Sequence, residues 1–205
     1  MRKAEIKRRT NEVDIRGSIN INGTGKTDIN TGFAPLDHLL TLFSFHGLFD
    51  LKLKAKGDLE HHIIEDTGIA AGKAFKEALG SKEGINRYGC FTAVMDKVAV
   101  KVAVDVSGRP SFYGRTDDTN AGGLKGSYST MKFDDTNFTA DHAVEFLEAF
   151  TQHAGLSIVY IIESSQGDLH HLLEAFFKAL GKALDQATLI DPRRKGIPST
   201  KGIID

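Results

Sequence analysis

Apolar and polar residues alternate with period two through VAVKVAVDV (98–106), the pattern of a strand with one buried face. The same reading predicts strands over 4–9 and 13–22, then 49–56, 88–95, 97–106 and 156–163. Helical spacing takes over elsewhere. In PLDHLLTLFSFH (35–46), Leu36, Leu39, Leu40 and Phe43 share one face behind a proline suited to a first turn. Across 139–153, Ala143, Phe146, Leu147 and Phe150 do the same. Two further alanine-rich helices follow the pairs His61-His62 and His170-His171.

These elements come in two matching sets. FDLKLKAKGDLEHHIIEDTGIAAGKAFKEALG (49–80) and GLSIVYIIESSQGDLHHLLEAFFKALGKALDQA (155–187) each run from an apolar strand, through Gly-Asp-Leu, to His-His-x-x-Glu and a helix. An internal duplication follows. The halves are placed at 1–84 and 85–190, with a tail at 191–205 that has Pro and Gly but no periodicity. Such a tail is ordered only if a ligand or neighbour holds it. No Pro/Ser-rich linker separates the halves. The expected fold class is α/β (α+β layered), two similar halves packed as one unit, with sheet on one side and helices on the other.

Charge and composition then remove whole classes of function. Lys and Arg number 26 against 27 Asp and Glu, for a net charge of −1, so no general attraction to nucleic acid or to an anionic membrane follows. Any phosphate must be held locally. No stretch approaches the roughly 20 apolar residues of a membrane span, and MRKAEIKRRTNEV has no apolar run of the signal-peptide kind. The single cysteine, Cys90, forms no intramolecular disulfide and reads as a small buried residue. The cytoplasm is the expected compartment.

Five of the eight histidines (38, 61, 62, 170 and 171) stand at helix starts. In each HHxxE block an imidazole and a carboxylate lie three or four residues apart, hence on one helix face. Nitrogen and oxygen donors without thiolates suit manganese, iron, cobalt or zinc. One block could be two solvent-facing histidines; two blocks behind the same lead-in point to metal. Neither is HExxH, so the zinc-protease arrangement is absent. His38 follows Asp37, a carboxylate placed to set its tautomer. His46 ends its helix and reads as structural. Arg109 in SGRP and the tail's PSTKG offer local anion contacts. Lys178 falls on roughly the same helix face as Glu174. A dinuclear hydrolase and a metal-storing shell stay open on these residues alone.

RRTNEV (8–13), GFAPLDHLL (32–40), FHGLFDL (45–51), HHIIEDTGIAAG (61–72), GINRYG (84–89), VDVSGRP (104–110), HHLLEAFFKA (170–179) and PSTKG (198–202) together resemble the imidazoleglycerol-phosphate dehydratase family over almost the whole chain. The resemblance implies dehydration of imidazole glycerol phosphate to imidazole acetol phosphate in histidine biosynthesis, on a homo-oligomer commonly of 24 subunits. It implies two divalent metal ions per subunit, Mn2+, held between subunits by His38, His61, His62, Glu65, His170, His171 and Glu174. Glu12 would be the acid/base residue, its pKa helped by partial burial, and Arg87, Arg109, Lys178, Ser199 and Lys201 would hold the phosphate. The proton removed sits on carbon with no adjacent carbonyl, so a base alone is insufficient. An imidazole ring bound as imidazolate between two ions can expel the far hydroxyl and form a diazafulvene.

Two departures stand out. Only Leu59 and Glu60 separate Gly57-Asp58 from His61-His62, so the strand-to-helix turn must be tighter than in the family. Phe146 occupies the position aligned with a family histidine in the helix before the second block. The expectation is Phe146 packed in the apolar stripe and His142, one turn earlier, unligated.

Overall fold

The computed structural model describes residues 2–117, 122–126 and 128–204, and among them one order of elements occurs twice. The first half runs β1 (Lys3–Arg9), β2 (Val13–Asn20), β3 (Thr27–Asn30), α1 (Ala34–Gly47), β4 (Asp50–Gly57) and α2 (Glu60–Leu79). The second runs β5 (Tyr88–Met95), β6 (Val98–Asp105), β7 (Ser111–Thr116), α3 (Ala140–Ala154), β8 (Ser157–Ser165) and α4 (Leu169–Thr188). Each half builds a four-stranded sheet, ordered β1-β2-β4-β3 and β5-β6-β8-β7. In each, the last strand in the order lies parallel to its neighbour and the remaining pairings are antiparallel.

The six strands and four helices expected from periodicity are present. β3 and β7 are additions. Both are edge strands joined to the sheet on one side only. β3 is four residues with no buried side chain, and β7 carries Gly114 in its middle, so neither shows a period-two stripe.

Inward residues of β6, namely Val98, Val100, Val102 and Val104, are buried under α4, while the outer face is left open. Each sheet has helices on one face, as expected within a half. The halves then meet helix to helix, α2 along α3 and α1 along α4, which puts the two sheets on the outside. Phe43 of α1, Phe49 just before β4, Phe75 of α2 and Phe150 of α3 are joined through edge-on ring contacts, with Phe43 to Phe150 at 5.9 Å, Phe49 to Phe75 at 5.7 Å and Phe75 to Phe150 at 5.6 Å. One continuous apolar core results.

Glycines set how near the helices come. A Cβ on Gly68 would stand 2.6 Å from the Phe146 carbonyl oxygen, and one on Gly72 would stand 2.6 Å from that of Phe150. The Gly-Ile-Ala-Ala-Gly run of α2 is therefore a close-approach surface for α3.

One expectation needs correcting. Cys90 is exposed, because Gly89 and Ala93 are the residues of β5 that turn inward. The tail is bonded along its path to the strand-side segment 84–87 of its own chain, a hold that the absence of periodicity gave no sign of. Gly84 N–H donates to Gly196 O at 2.9 Å, Asp191 N–H to Gly84 O at 2.9 Å, and Arg87 Nη1 to Pro198 O at 3.1 Å.

Candidate active site

The α1–α4 packing carries His38 from the first half onto His170 and Glu174 from the second. His170 and Glu174 share a face because they are one turn apart on α4. His38 stands in the first turn of α1, where Pro35 starts the helix. His38 Nε2 lies 2.6 Å and His170 Nε2 3.2 Å from Glu174 Oε1, and one donor atom from each residue falls within a 4.8 Å set. Among the described residues this is the one such group of three or more potential metal ligands.

Glu174 is buried, which pushes its carboxyl up. Lys178, donating to Oε2 at 2.8 Å, then His38 and His170, outweigh that and hold it at about 2. Burial likewise opposes protonation of His170, but Asp134 on Nδ1 at 2.8 Å and Glu174 together raise its pKa. Phe133 stacks on the His170 ring at 4.3 Å. Asp134 has left-handed backbone, φ 53°, an uncommon conformation for a residue with a side chain. Sequence reading missed both, since the loop has no periodicity and lies 36 residues before His170.

A second cluster forms at the start of α2. His62 Nδ1 is 2.8 Å from Asp58 Oδ1 and 4.0 Å from Glu12 Oε2, and the rings of His61 and His62 are 4.2 Å apart. The Asp58 hydrogen bond raises the His62 pKa; burial opposes it, and the charge of Glu12 adds to the rise. Glu12 sits on the β1–β2 turn, where Thr10 Oγ1 accepts from its N–H at 3.1 Å. Its carboxylate is 55% exposed, so a single chain does not supply the partial burial expected of it. Arg8 Nη2 meets the buried Asp66 carboxylate at 2.8 Å and ties β1 to α2 beside these groups. His171 adjoins His170, ring centroids 5.8 Å apart, without joining the three-ligand group; its Nδ1 lies 3.0 Å from Asp168 and its Nε2 3.5 Å from Asp96. Glu65 lines a recess of about 490 Å³ between α2 and α3, shared with Glu145, Glu148 and His153.

Phe146 is buried, its ring stacked on Phe150 at 6.1 Å. His142 is engaged at the start of α3, where its Nδ1 accepts from Thr139 N–H at 3.1 Å. Among the α3 side chains that line the recess with Glu65 is Glu145, one residue before Phe146. Helical spacing alone could have found it, since Ala143, Phe146, Leu147 and Phe150 already define the opposite, buried face. Asp37 does not set the His38 tautomer. It turns away, its Oδ1 accepting from Thr31 N–H at 2.8 Å and Thr31 Oγ1 at 2.6 Å. His46 lies in the last turn of α1, its pKa lowered by burial and then by Lys178 and Lys182.

Arg87, Arg109, Ser199 and Lys201 converge on one recess of about 240 Å³, with Ser107 and Thr200. Arg87 is the strut of this wall. Its guanidinium grips Asp105 at 2.7 and 3.1 Å while reaching Pro198 O in the tail. Lys201 N–H donates to Ser199 Oγ at 3.2 Å, which folds PSTKG into a turn with the lysine exposed. Lys178 does not line this recess; within the chain it belongs to Glu174.

Donor clusters on duplicated helices and a separate recess lined by cationic side chains narrow the field, and comparison with known proteins decides it. The family described as imidazoleglycerol-phosphate dehydratase matches residues 31–184. The chain belongs to that family. It is 48% identical over 208 residues to the imidazoleglycerol-phosphate dehydratase of Thermoanaerobacter pseudethanolicus, covering all of both chains. It is 45% identical over 207 residues to that of Bacillus licheniformis, again over the whole of both. The crystal structure of the Staphylococcus aureus dehydratase superposes with a TM-score of 0.76 at 33% identity, over 92% of this chain and 99% of that one. The Pyrococcus furiosus dehydratase structure gives the same TM-score and identity over 96% and 99%. The chain is thus a hydro-lyase of histidine biosynthesis. Among the described residues no helix is long and apolar enough to cross a membrane.

Proposed function

We propose that this dehydratase works at a dinuclear Mn2+ site assembled between subunits of a cytoplasmic homo-oligomer of 24 copies. The observation that carries the reading is the meeting of His38, His170 and Glu174 from both halves of the duplication. The donor set fits such an ion. Bonds of about 2.1 Å allow donor atoms up to roughly 4.2 Å apart, close to the observed span. Two imidazole nitrogens and a carboxylate oxygen suit a divalent first-row metal. His61, His62, Glu65 and His171 complete the two ligand sets in this reading, and the exposure of His61 and Glu65 in one chain leaves them available to a neighbour.

Bound divalent ions supply Lewis acidity toward the substrate's imidazole. The residues of the chain do the rest. Glu12, beside His62, moves the proton between the substrate carbon and the departing water. Arg109, Ser199, Lys201 and the turn amides hold the phosphate in the recess braced by Arg87, and Lys178 keeps Glu174 ionised. No phosphate bond breaks, so that recess contributes orientation. The test is dehydration of imidazole glycerol phosphate by protein stripped with a chelator, then reloaded with Mn2+. Activity should vanish and return, with close to two ions bound per chain. Full activity without bound metal, or metal binding without dehydration, overturns the proposal.

A further inference from the structure

The Gly-Asp-Leu lead-in occurs twice, yet its aspartates sit at different distances from their histidine pairs. Asp58 precedes the second histidine of its pair, His62, by four residues; Asp168 precedes His171 by three. Both carboxylates nonetheless come near the same ring atom. Asp58 Oδ1 lies 2.8 Å from His62 Nδ1, and Asp168 Oδ1 lies 3.0 Å from His171 Nδ1.

Helix capping accounts for only one of them. Asp168 is the N-cap of α4, accepting from His171 N–H at 2.9 Å. The extra residue Glu60 removes Asp58 from that position: the N-cap of α2 is Leu59, and no side chain caps it. Asp58 instead accepts from the adjacent Leu59 N–H at 2.8 Å and turns its carboxylate to His62. The tight turn has lost the cap and kept the histidine. Asp134 makes the same contact with His170 Nδ1 at 2.8 Å.

A carboxylate on Nδ1 fixes a neutral imidazole as the Nδ1–H tautomer, leaving the lone pair on Nε2. We propose that Asp58 is a positioning residue, which holds His62, the second histidine of its pair, with Nδ1–H donated inward and Nε2 presented for coordination, whereas Asp168 is spent on the His171 backbone N–H and stands near that ring without bonding it. Asp96, 3.5 Å from His171 Nε2, is a 72% exposed carboxylate at the edge of hydrogen-bond reach, on the side from which an ion would approach. The proposal rests on the metal reading above, and its test separates the two.

Asp58 is the residue to change, because it caps nothing. Full-length protein labelled with 15N-histidine is studied metal-free by solid-state NMR at about pH 8, where an ordinary imidazole is neutral. The wild type should show an Nδ1–H histidine signal that Asp58→Ala loses and Asp58→Asn, which keeps an acceptor oxygen, retains. Mn2+ affinity, followed by the signal of free Mn2+ in electron paramagnetic resonance, should fall about 10–100-fold in Asp58→Ala. Glu60→Ala, on the exposed side of the same turn, should leave it unchanged. Asp58→Ser keeps an acceptor for the Leu59 amide but is too short for Nδ1, so it should behave as Asp58→Ala and serves if alanine disrupts folding. An unchanged histidine spectrum or unchanged Mn2+ affinity in a folded Ala or Ser variant overturns the proposal. Wild-type protein that binds no Mn2+ sinks the metal reading instead, while the metal-free spectrum still decides whether Asp58 sets the tautomer.

Discussion

Gly68→Ala tests whether the approach of α2 to α3 positions the site as well as the fold. The added Cβ would meet the Phe146 carbonyl oxygen at 2.6 Å, the Ala149 Cβ at 2.9 Å and the Phe150 amide at 3.2 Å. Ordinary contact begins near 3.4 Å, so the helices must part by close to 1 Å along a backbone-lined seam. Alanine returns up to about 1 kcal/mol of helix propensity over glycine. Overpacking of this kind costs about 1–3 kcal/mol. The expected net loss is about 1–2 kcal/mol, or roughly 2–8 °C in Tm for a chain of this size. Activity should suffer more, because His61, His62 and Glu65 ride on α2, and a 1 Å misplacement of a reacting constellation costs about 100-fold. The assay is calorimetry on the metal-free protein beside steady-state dehydration. Lys73→Ala, on the exposed face of the same helix, should change neither. Gly68→Ala with wild-type Tm and wild-type kcat/KM would refute the reasoning.

Glu174 gives metal-free protein an acid-sensitive contribution. Its folded pKa of about 2 lies below the ordinary 4.5, so the stabilisation is whole above pH 4.5 and drains away as pH falls toward 2. Glu174→Gln should lower the urea midpoint at neutral pH and flatten its fall across that window; parallel curves for variant and wild type would contradict this. Lys201→Ala should weaken substrate and inorganic phosphate together by about 1.5–3 kcal/mol, or roughly 10–150-fold, as a charge-assisted contact does. Unchanged phosphate affinity by calorimetry would make Lys201 ordinary surface.

What was legible in the sequence follows from range. A strand with one buried face, or two residues one turn apart on a helix, writes its geometry into neighbouring positions. The central strands, the four helices and the pairing of His170 with Glu174 were therefore readable. The face shared by Glu174 and Lys178 was readable too, and the 2.8 Å contact follows it, whereas the phosphate role assigned by resemblance places Lys178 in a recess it does not line within the chain. Asp134 was not readable, because it reaches His170 from a loop by left-handed backbone and no spacing rule connects the two. Cys90 was misread because composition says how often cysteines are buried and nothing about which face of β5 turns inward. Phe146 was readable for the same reason as the strands: its spacing with Leu147 and Phe150 put it on the buried stripe, where it lies, whereas Glu145 beside it, which lines the recess, was not singled out.

The distribution of exposure bears on why this chain should act as an assembly. A buried Glu174 is surrounded by partners from its own chain, while His38 and His170 beside it keep an open side. At the other end of the duplication, Glu12, His61 and Glu65 are exposed, although chemistry on carbon needs water excluded around the base. Duplication places two similar histidine pairs on two helices of one chain, but only one of them, through His170, meets a histidine of a third element, His38 of α1. In the proposed assembly a second copy performs for His61, His62 and Glu12 what α1 performs for His170. Removing metal should then loosen the contacts between subunits while leaving each chain folded, since the apolar core runs from both sheets into the helices between them and no metal ligand belongs to it.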